Sequence, residues 1–329
     1  MLYVTTREKQ DTYTALRTLG FDRGSDGGLF MPFRLPKLTE GELDQLLSGG
    51  FSHAMAGILN IFFSARMNGG DVDFTVGRRP MKLQTMSHRI AIAEVWHNQK
   101  WTFDHMAKLL TQRILGRELP EGATEWGRLA VRIGALFGIF AELRGNGWDG
   151  QQTVDVALSA GDFSAPMSAW YARELGLPIE TIVCGCTETS APWDLLHQGE
   201  LRSRGAHTPD GLERLICCRL GWEAVGEYRQ ILGRGGIYTP DEEQFEILRQ
   251  GFFAAVISPK RVQAVIPKVY NTNAYLLSPE SACAYGGLQD YRAITGESRP
   301  AVLLTEESPL PDGGEPSGDP QIPANGQKP

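Results

Sequence analysis

Two histidines, two acids and a lysine are crowded between residues 94 and 105, and such side chains can act as acids, bases or nucleophiles. A dense set of titratable groups suits proton transfer or attack by a lysine amine. The spacing matches no metal motif and no Ser-His-Asp order, and an isolated histidine is usually a hydrogen-bonding group or a surface residue. A hydrolase using Glu94, His97 and Asp104 is a further hypothesis, although nothing in the sequence fixes the geometry of these three residues.

A second candidate is the run at residues 154–166, in which a predicted strand leads through a glycine-containing turn into a helix. Such a turn directs backbone N–H groups at whatever lies above it, a geometry suited to a phosphate or carboxylate. The alternative is an ordinary turn in which Ser159 or Asp162 only caps the helix, and a carboxylate at position 162 would repel a phosphate. The candidate contacts are Gly161, Asp162, Phe163, Ser164 and Ala165.

A third candidate is the polar run Thr-Glu-Glu-Ser-Pro at residues 305–309, which follows the last predicted strand. Open parallel sheets bind ligands beyond the carboxyl ends of their strands, so Thr305 joins the candidate contacts. The run could equally be a polar segment that leads from the folded unit into the C-terminal tail.

The elements that must position these residues alternate between strands and helices along the chain. Apolar runs rich in β-branched residues predict strands at residues 89–95, 153–159, 180–184 and 301–305. Helical spacing of apolar residues and N-terminal capping signals predict helices at residues 39–47, 51–67, 104–115, 124–143, 166–175, 210–220, 241–250 and 279–294. This alternation is typical of an α/β fold with an open, mainly parallel sheet flanked by helices.

Composition and charge exclude several classes of protein. The 329 residues carry a formal net charge of −7 without a run of like charge, which argues against a nucleic-acid partner. Charged residues near the N-terminus argue against a secretory signal, and the most apolar stretch, residues 133–141, is about half the ~20 residues of a membrane span. We therefore expect a cytoplasmic protein that binds no membrane.

The cysteines and the domain boundaries lead to two further expectations. Five cysteines without CxxC spacing or nearby histidine pairs predict reduced thiols, with no disulfide framework and no metal site. Residues 1–310 are expected to form one folded unit. Residues 311–329 are almost half Pro and Gly, and we expect them to be a disordered tail.

Short motifs along the chain, taken in order, resemble one enzyme family. They are Thr5-Thr6-Arg7, the Asp-Gly-Gly-Leu-Phe-Met-Pro run at 26–32, Ala-Gly-Asp-Phe-Ser at 160–164, Leu-Gly-Leu-Pro-Ile at 175–179, Cys-Thr-Glu-Thr-Ser at 186–190, and Ser-Pro-Glu-Ser-Ala-Cys-Ala-Tyr at 278–285. Their order is similar to that of threonine synthase, a pyridoxal-phosphate enzyme of fold type II in threonine biosynthesis. The resemblance implies that residues 160–164 match the family's phosphate loop.

The sequence departs from the family pattern at the residues that carry the chemistry. Where the family has Ala-Phe-Lys-Asp, whose lysine forms the Schiff base, this chain has Thr-Phe-Asp-His, so Asp104 stands near the lysine position and Lys100 is a weak alternative. The family's Asn and Gly in the phosphate loop are Asp162 and Ser164 here. The family's closing Thr-Ala-His-Pro is matched at best by residues 305–309, without the histidine.

A whole small domain is also missing from the expected pattern. After the lysine helix the family inserts a smaller α/β domain with a Ser-Gly-Asp-Thr-Gly loop, a string that this sequence lacks. The resemblance therefore implies that the small domain is deleted near residues 116–123. The aromatic residues that flank this point could line a new interface or simply repack as core; they are Trp96, Trp101, Trp126 and Trp148.

These departures predict a threonine-synthase-like pseudoenzyme that binds an unknown protein partner or a small anionic metabolite, with Gly161–Ala165 and Thr305 as vestigial cofactor contacts. One alternative is an active pyridoxal-phosphate-dependent threonine synthase or related lyase that uses Lys100. Another is a non-covalent sensor of a small phosphorylated amino acid. No pyridoxal phosphate is expected unless some binding or activity is retained.

Overall fold

The computed structural model describes residues 1–78, 81–86, 89–95, 102–119, 121–187, 190–202 and 209–309. Its strands are β1 Leu2–Thr5, β2 Tyr13–Thr14, β3 Phe30–Pro32, β4 Lys82–Met86, β5 Ile90–Glu94, β6 Val154–Ser159, β7 Ile179–Cys186, β8 Leu201–Arg202, β9 Ile237–Tyr238, β10 Phe252–Val256 and β11 Ala301–Thr305. Its helices are α1 Ala15–Gly20, α2 Glu40–Ser48, α3 Gly50–Phe63, α4 Gly69–Val76, α5 Phe103–Leu115, α6 Glu125–Gly145, α7 Ser164–Leu175, α8 Ala191–Trp193, α9 Asp210–Leu220, α10 Trp222–Gly233, α11 Glu242–Arg249, α12 Pro259–Asn273 and α13 Pro279–Thr295. A π-helical turn, Asp194–Gln198, follows α8.

A six-stranded sheet with the order β10-β7-β6-β11-β5-β4 lies at the centre. The first five strands in this order run parallel, and β4 pairs antiparallel with β5 at the edge. The predicted open, mainly parallel sheet is therefore confirmed. Strands β2, β1 and β3 form a separate antiparallel sheet, which the sequence patterns did not predict.

Helices cover both faces of the central sheet, and β11 shows why its sequence is apolar throughout. Val302 and Leu304 pack into one hydrophobic cluster, while Ala301 and Leu303 pack into another on the opposite face. Alternate side chains of a strand point to opposite faces, so a strand buried on both sides cannot carry the polar alternation of a half-exposed one. This burial explains why the prediction for residues 301–305 has the same bounds as β11.

Local signals set the ends of the helices. Thr39 caps α2 in a capping box with Glu42 and satisfies amides that the first turn leaves unpaired. The helix predicted over residues 51–67 is wrong at its end, because α3 stops at Phe63. Ser64 takes a left-handed conformation with φ of 53° and donates its N–H to Asn60 O, which terminates the helix.

The Thr-Thr-Arg run at residues 5–7 links the three-stranded antiparallel sheet to α9. Thr6 Oγ1 and Arg7 Nε donate to Glu213 Oε1 at 2.5 and 3.1 Å, and Tyr228 Oη donates to Glu213 Oε2 at 2.7 Å. Burial alone would raise the pKa of Glu213, but these hydrogen bonds and the Arg7 charge bring that pKa below its ordinary value. This run therefore has a structural role in holding two distant parts of the chain together.

Trp126 lies at the centre of the core in α6 and is fully buried. Its ring makes edge contacts with Tyr3, Phe62 and Tyr171 at centroid distances of 5.4, 5.5 and 5.8 Å. Trp148 packs against Phe140 at 5.4 Å. Trp126 is therefore a core residue, and Trp148 is partly buried against the same core. Trp96 and Trp101 lie outside the described residues.

Three features are absent from the described part of the chain. All five cysteines are described and none is in a disulfide. The described residues contain no group of His, Cys, Asp and Glu that could hold a metal ion. None of the described helices is long and apolar enough to cross a membrane. The predicted tail at residues 311–329 lies outside the described residues.

Replacing Trp126 with alanine is expected to lower the free energy of unfolding by about 3–5 kcal/mol, because it removes a large buried ring and leaves a cavity among three aromatic neighbours. Urea unfolding followed by circular dichroism measures this change. Phe74→Ala is the control, because the Phe74 side chain is 84% exposed and its loss should change stability by less than about 0.5 kcal/mol. Equal effects of the two substitutions would contradict the assignment of Trp126 to the core.

Candidate functional site

A cavity of about 210 Å³ opens at the carboxyl edge of the central sheet. Its floor is formed where β6 and β11 end, at Leu158, Ser159 and Leu304. The turn after β6 and the first turn of α13 form its walls. The carboxyl edge is where open α/β sheets bind ligands, so we call this cavity the edge pocket.

The edge pocket is strongly acidic. Among the described residues that line it, the charged side chains are one guanidinium, Arg132, and four carboxylates: Asp162, Glu280, Glu306 and Glu307. No lysine is among these lining residues. Carboxylates at such close quarters repel one another and any anion that enters, so the pocket favours a cationic, zwitterionic or neutral occupant.

Arg132 and Glu306 form a paired contact inside the edge pocket. Arg132 Nε and Nη2 donate to Glu306 Oε1 and Oε2 at 2.5 and 2.9 Å, while the guanidinium lies over the ring of Phe103 at 4.5 Å. Two parallel bonds of this kind are the strongest geometry for an arginine and a carboxylate. Burial by itself lowers the pKa of Arg132, but the Glu306 carboxylate more than offsets this, and the pKa lies above its ordinary value.

One donor of this buried guanidinium has no partner. Arg132 is only 8% exposed, and its Nη1 makes no hydrogen bond with a described residue. A buried N–H without an acceptor costs free energy, so Nη1 is a ready donor for a group entering the edge pocket.

The turn after β6 is closed by its own aspartate. Asp162 Oδ1 accepts the N–H of Ser164 at 2.9 Å, which occupies one of the amide groups at the start of α7. These amides are the groups that would otherwise face an anion at a helix N-terminus. The structure therefore supports the capping interpretation of Asp162, and Gly161, with φ of +43° and open space beside it, leaves room above the turn.

The other predicted contacts are divided between the pocket and the core. Ala165 lines the edge pocket together with Gly161 and Asp162. Phe163 is fully buried and packs against Phe252 at 5.6 Å. Thr305 is 2% exposed, and its Oγ1 donates to Ala93 O at 3.1 Å, so this side chain joins β11 to β5.

The residues of the first candidate cluster, between positions 94 and 105, lie in different environments. Asp104 lies in the first turn of α5 with its side chain 71% exposed, where it pairs with Arg128 at 2.9 Å. Glu94 is buried at the end of β5 and accepts a hydrogen bond from Gln84 Nε2 at 2.8 Å. Lys100 and His97 lie outside the described residues. The described residues thus give the hypothetical hydrolase no shared site.

Two site residues, Arg132 and Glu280, were not among the sequence candidates. Arg132 is the charged residue in the otherwise apolar run Leu-Ala-Val-Arg-Ile-Gly-Ala-Leu-Phe at residues 129–137, and such an interruption is the signal that could have identified it. Glu280 lies just after Pro279 in the first turn of α13. Burial, and then the nearby carboxylates of Glu307 and Glu306, raise the pKa of Glu280.

Comparisons with known sequences identify relatives of the chain. A family model described as "Threonine synthase N terminus" matches residues 2–76. Threonine synthase-like 1 of Homo sapiens and that of Pongo abelii are each 27% identical to this chain over 175 residues. The match covers 48% of this chain and 23% of each relative, so the chain spans about a quarter of the length of these proteins.

Solved structures of threonine synthases share the fold. A structure from Brucella melitensis, described as bound to PLP, gives a TM-score of 0.81 at 18% identity and covers 98% of this chain and 93% of that one. The yeast enzyme gives 0.77 at 14% identity, covering 94% and 87%, and that of Escherichia coli gives 0.67 at 16%, covering 94% and 89%. At these identities the likeness establishes the fold alone.

Substituting Glu306 with alanine is expected to lower the free energy of unfolding by about 3 kcal/mol, because it strands the buried Arg132 charge. Urea unfolding measures the loss. The control is Glu246→Ala, which removes a pair with Arg249 whose side chains are about half exposed, and it should cost less than about 1 kcal/mol. If both substitutions cost the same, the Arg132–Glu306 pair does not organise the pocket.

The raised pKa of Glu280 predicts a pH-dependent effect of Glu280→Gln. A carboxyl whose pKa is raised in the folded state stabilises the fold while it is protonated. This contribution is lost as pH rises from the ordinary glutamate pKa to the higher pKa of the folded state. The variant should therefore gain stability relative to the parent protein as pH rises through this interval, measured by thermal melting. Glu42→Gln should show the opposite trend, because the backbone N–H and side chain of Thr39 lower the pKa of Glu42. A difference for Glu280→Gln that does not vary with pH would contradict the raised pKa.

Proposed function

We propose that this chain is a non-catalytic member of the threonine synthase family and acts by binding a protein partner or a small ligand. The observation that carries the proposal is the charge of the edge pocket, where four carboxylates surround one paired guanidinium.

The residues of the edge pocket do not fit pyridoxal phosphate. The cofactor phosphate is an anion, and the turn that would hold it presents the Asp162 carboxylate, which already caps the Ser164 amide. Glu280, Glu306 and Glu307 add three further acids to the same cavity. Repulsion between these groups and a phosphate supports a binding role that does not use the cofactor.

The position of Asp104 supports the same proposal. Its side chain points to solvent and is paired with Arg128, so it supplies no amine and no inward-facing group to the edge pocket. Lys108 is four residues further along α5, and no lysine lines the pocket among the described residues. A covalent cofactor link would therefore depend on Lys100.

The short connection between α5 and α6 supports the deletion that we propose near residues 116–123. Helix α5 ends at Leu115, α6 begins at Glu125, and the two helices pack against each other. Arg128 of α6 reaches Asp104 of α5 across this junction.

Adding pyridoxal phosphate to the purified chain tests the proposal. We expect no visible absorption band of a lysine-bound cofactor, and no cofactor mass on any lysine after borohydride reduction. Lys100→Ala and the matched control Lys108→Ala should behave like the parent protein. A band that is lost in Lys100→Ala and kept in Lys108→Ala would overturn the proposal in favour of an active enzyme.

A second measurement separates this proposal from a sensor of a phosphorylated amino acid. Thermal melting with phosphohomoserine should show no stabilisation, because the acidic pocket repels a phosphate, whereas a bound ligand stabilises the folded state by mass action. A rise in melting temperature that is abolished by Arg132→Met would favour the sensor.

A further inference from the structure

A second, larger cavity of about 640 Å³ opens at the opposite edge of the central sheet. It lies where β5 begins, at Arg89 and Ile90, and beside the loop that precedes β11. The last turns of α12 and the second half of α13 form its walls. We call it the amino-edge pocket, and nothing in the family resemblance concerns it.

Among the described residues that line the amino-edge pocket, three are cations: Arg89, Lys268 and Arg292. They come from three separate elements, β5 with its preceding turn, α12 and α13. The Lys268 ammonium makes no ion pair or hydrogen bond with a described residue. The chain as a whole carries a net charge of −7, so three cations around one cavity oppose the overall balance of the protein.

The acids near the amino-edge pocket are paired with a fourth cation. Glu297 on its wall and Asp155 in the neighbouring strand β6 both contact Arg299, at 3.1 and 3.4 Å. Among the described residues of this region, four cations therefore accompany two carboxylates, an excess of positive charge. Burial and, to a smaller extent, the charge of Arg89 lower the pKa of Arg292, against the opposing effect of Asp155. An anion in the cavity would relieve this repulsion.

The backbone holds Arg89 in an unusual conformation at the mouth of this cavity. Its φ is 59°, in the left-handed region that residues other than glycine rarely adopt. The conformation is fixed on two sides, because Arg89 O accepts the N–H of Ala301 at 3.0 Å and Arg89 Nη2 donates to Gln152 Oε1 at 2.6 Å. Such strain persists where surrounding structure enforces it and is common at ligand sites.

Apolar side chains form the floor between the cations. Ile90, Val269, Leu288 and Tyr285 line the cavity and are 1–7% exposed. A cavity of this size with an apolar floor and a few charged groups has the usual composition of a small-molecule site. A bare inorganic anion would leave the floor uncovered.

We propose that the amino-edge pocket binds a small organic anion in which a carboxylate, sulfonate or phosphate is joined to an apolar group. The anionic group lies among Arg89, Lys268 and Arg292, and the apolar group covers Ile90 and Leu288. This site is independent of the edge pocket and of the function proposed for it.

The fluorescent probe 8-anilinonaphthalene-1-sulfonate tests this proposal, because it joins a sulfonate to aromatic rings. Titration of the folded chain should show one saturable site whose affinity falls as sodium chloride is added, since salt screens the attraction. Lys268→Gln should weaken binding about fivefold through loss of one charged contact. Arg89→Asn should weaken it similarly, and asparagine tolerates the left-handed backbone.

Lys260→Gln is the matched control, because Lys260 is an exposed lysine on the same helix, two turns from Lys268 and outside the cavity. It should leave the affinity unchanged. The neutral analogue N-phenyl-1-naphthylamine should bind at least about fivefold more weakly than the sulfonate. Equal affinities in Lys268→Gln and Lys260→Gln, or equal affinities of the charged and neutral probes, would overturn the proposal.

Discussion

The buried pair of Arg132 and Glu306 is the interaction around which the carboxyl edge of the sheet is organised. It joins α6 to the segment after β11, and it sits over Phe103 at the start of α5. Removing either charge would leave the other poorly solvated and without a partner, so each residue stabilises the buried position of the other. Both line the pocket at the carboxyl edge of the sheet, where open α/β sheets bind ligands, so under our proposal they set the charge that an entering ligand meets.

The two edges of the central sheet differ in charge, because different segments of the chain contribute the charged side chains at each edge. At the carboxyl edge, acids from the turn after β6, from α13 and from the segment after β11 converge on one guanidinium. At the amino edge, cations from β5, α12 and α13 surround an apolar floor. One sheet with helices on both faces thus presents an acidic cavity and a basic one, and the proposed binding roles of the two cavities rest on separate residues.

The sequence predicted the elements that burial dictates and missed those that depend on distant partners. The strand at 301–305 and the helix at 210–220 have the predicted bounds, because continuous apolar runs and helical spacing are local signals. Helix α12 was missed because it carries Pro267 in its interior and few buried residues. The Arg132–Glu306 pair joins residues 174 positions apart, so no local pattern reveals it. For the same reason the sequence located the turn at Gly161 and Asp162 but not Glu280, which lies beside it in the pocket.

A crystal structure of the chain soaked in pyridoxal phosphate would show whether the charge of the edge pocket excludes the cofactor. We expect that the Arg132–Glu306 pair remains intact, that Asp162 still caps Ser164, and that no cofactor density occupies the cavity. A cofactor phosphate seated on the turn at residues 161–165, with Glu306 displaced from Arg132, would contradict this expectation.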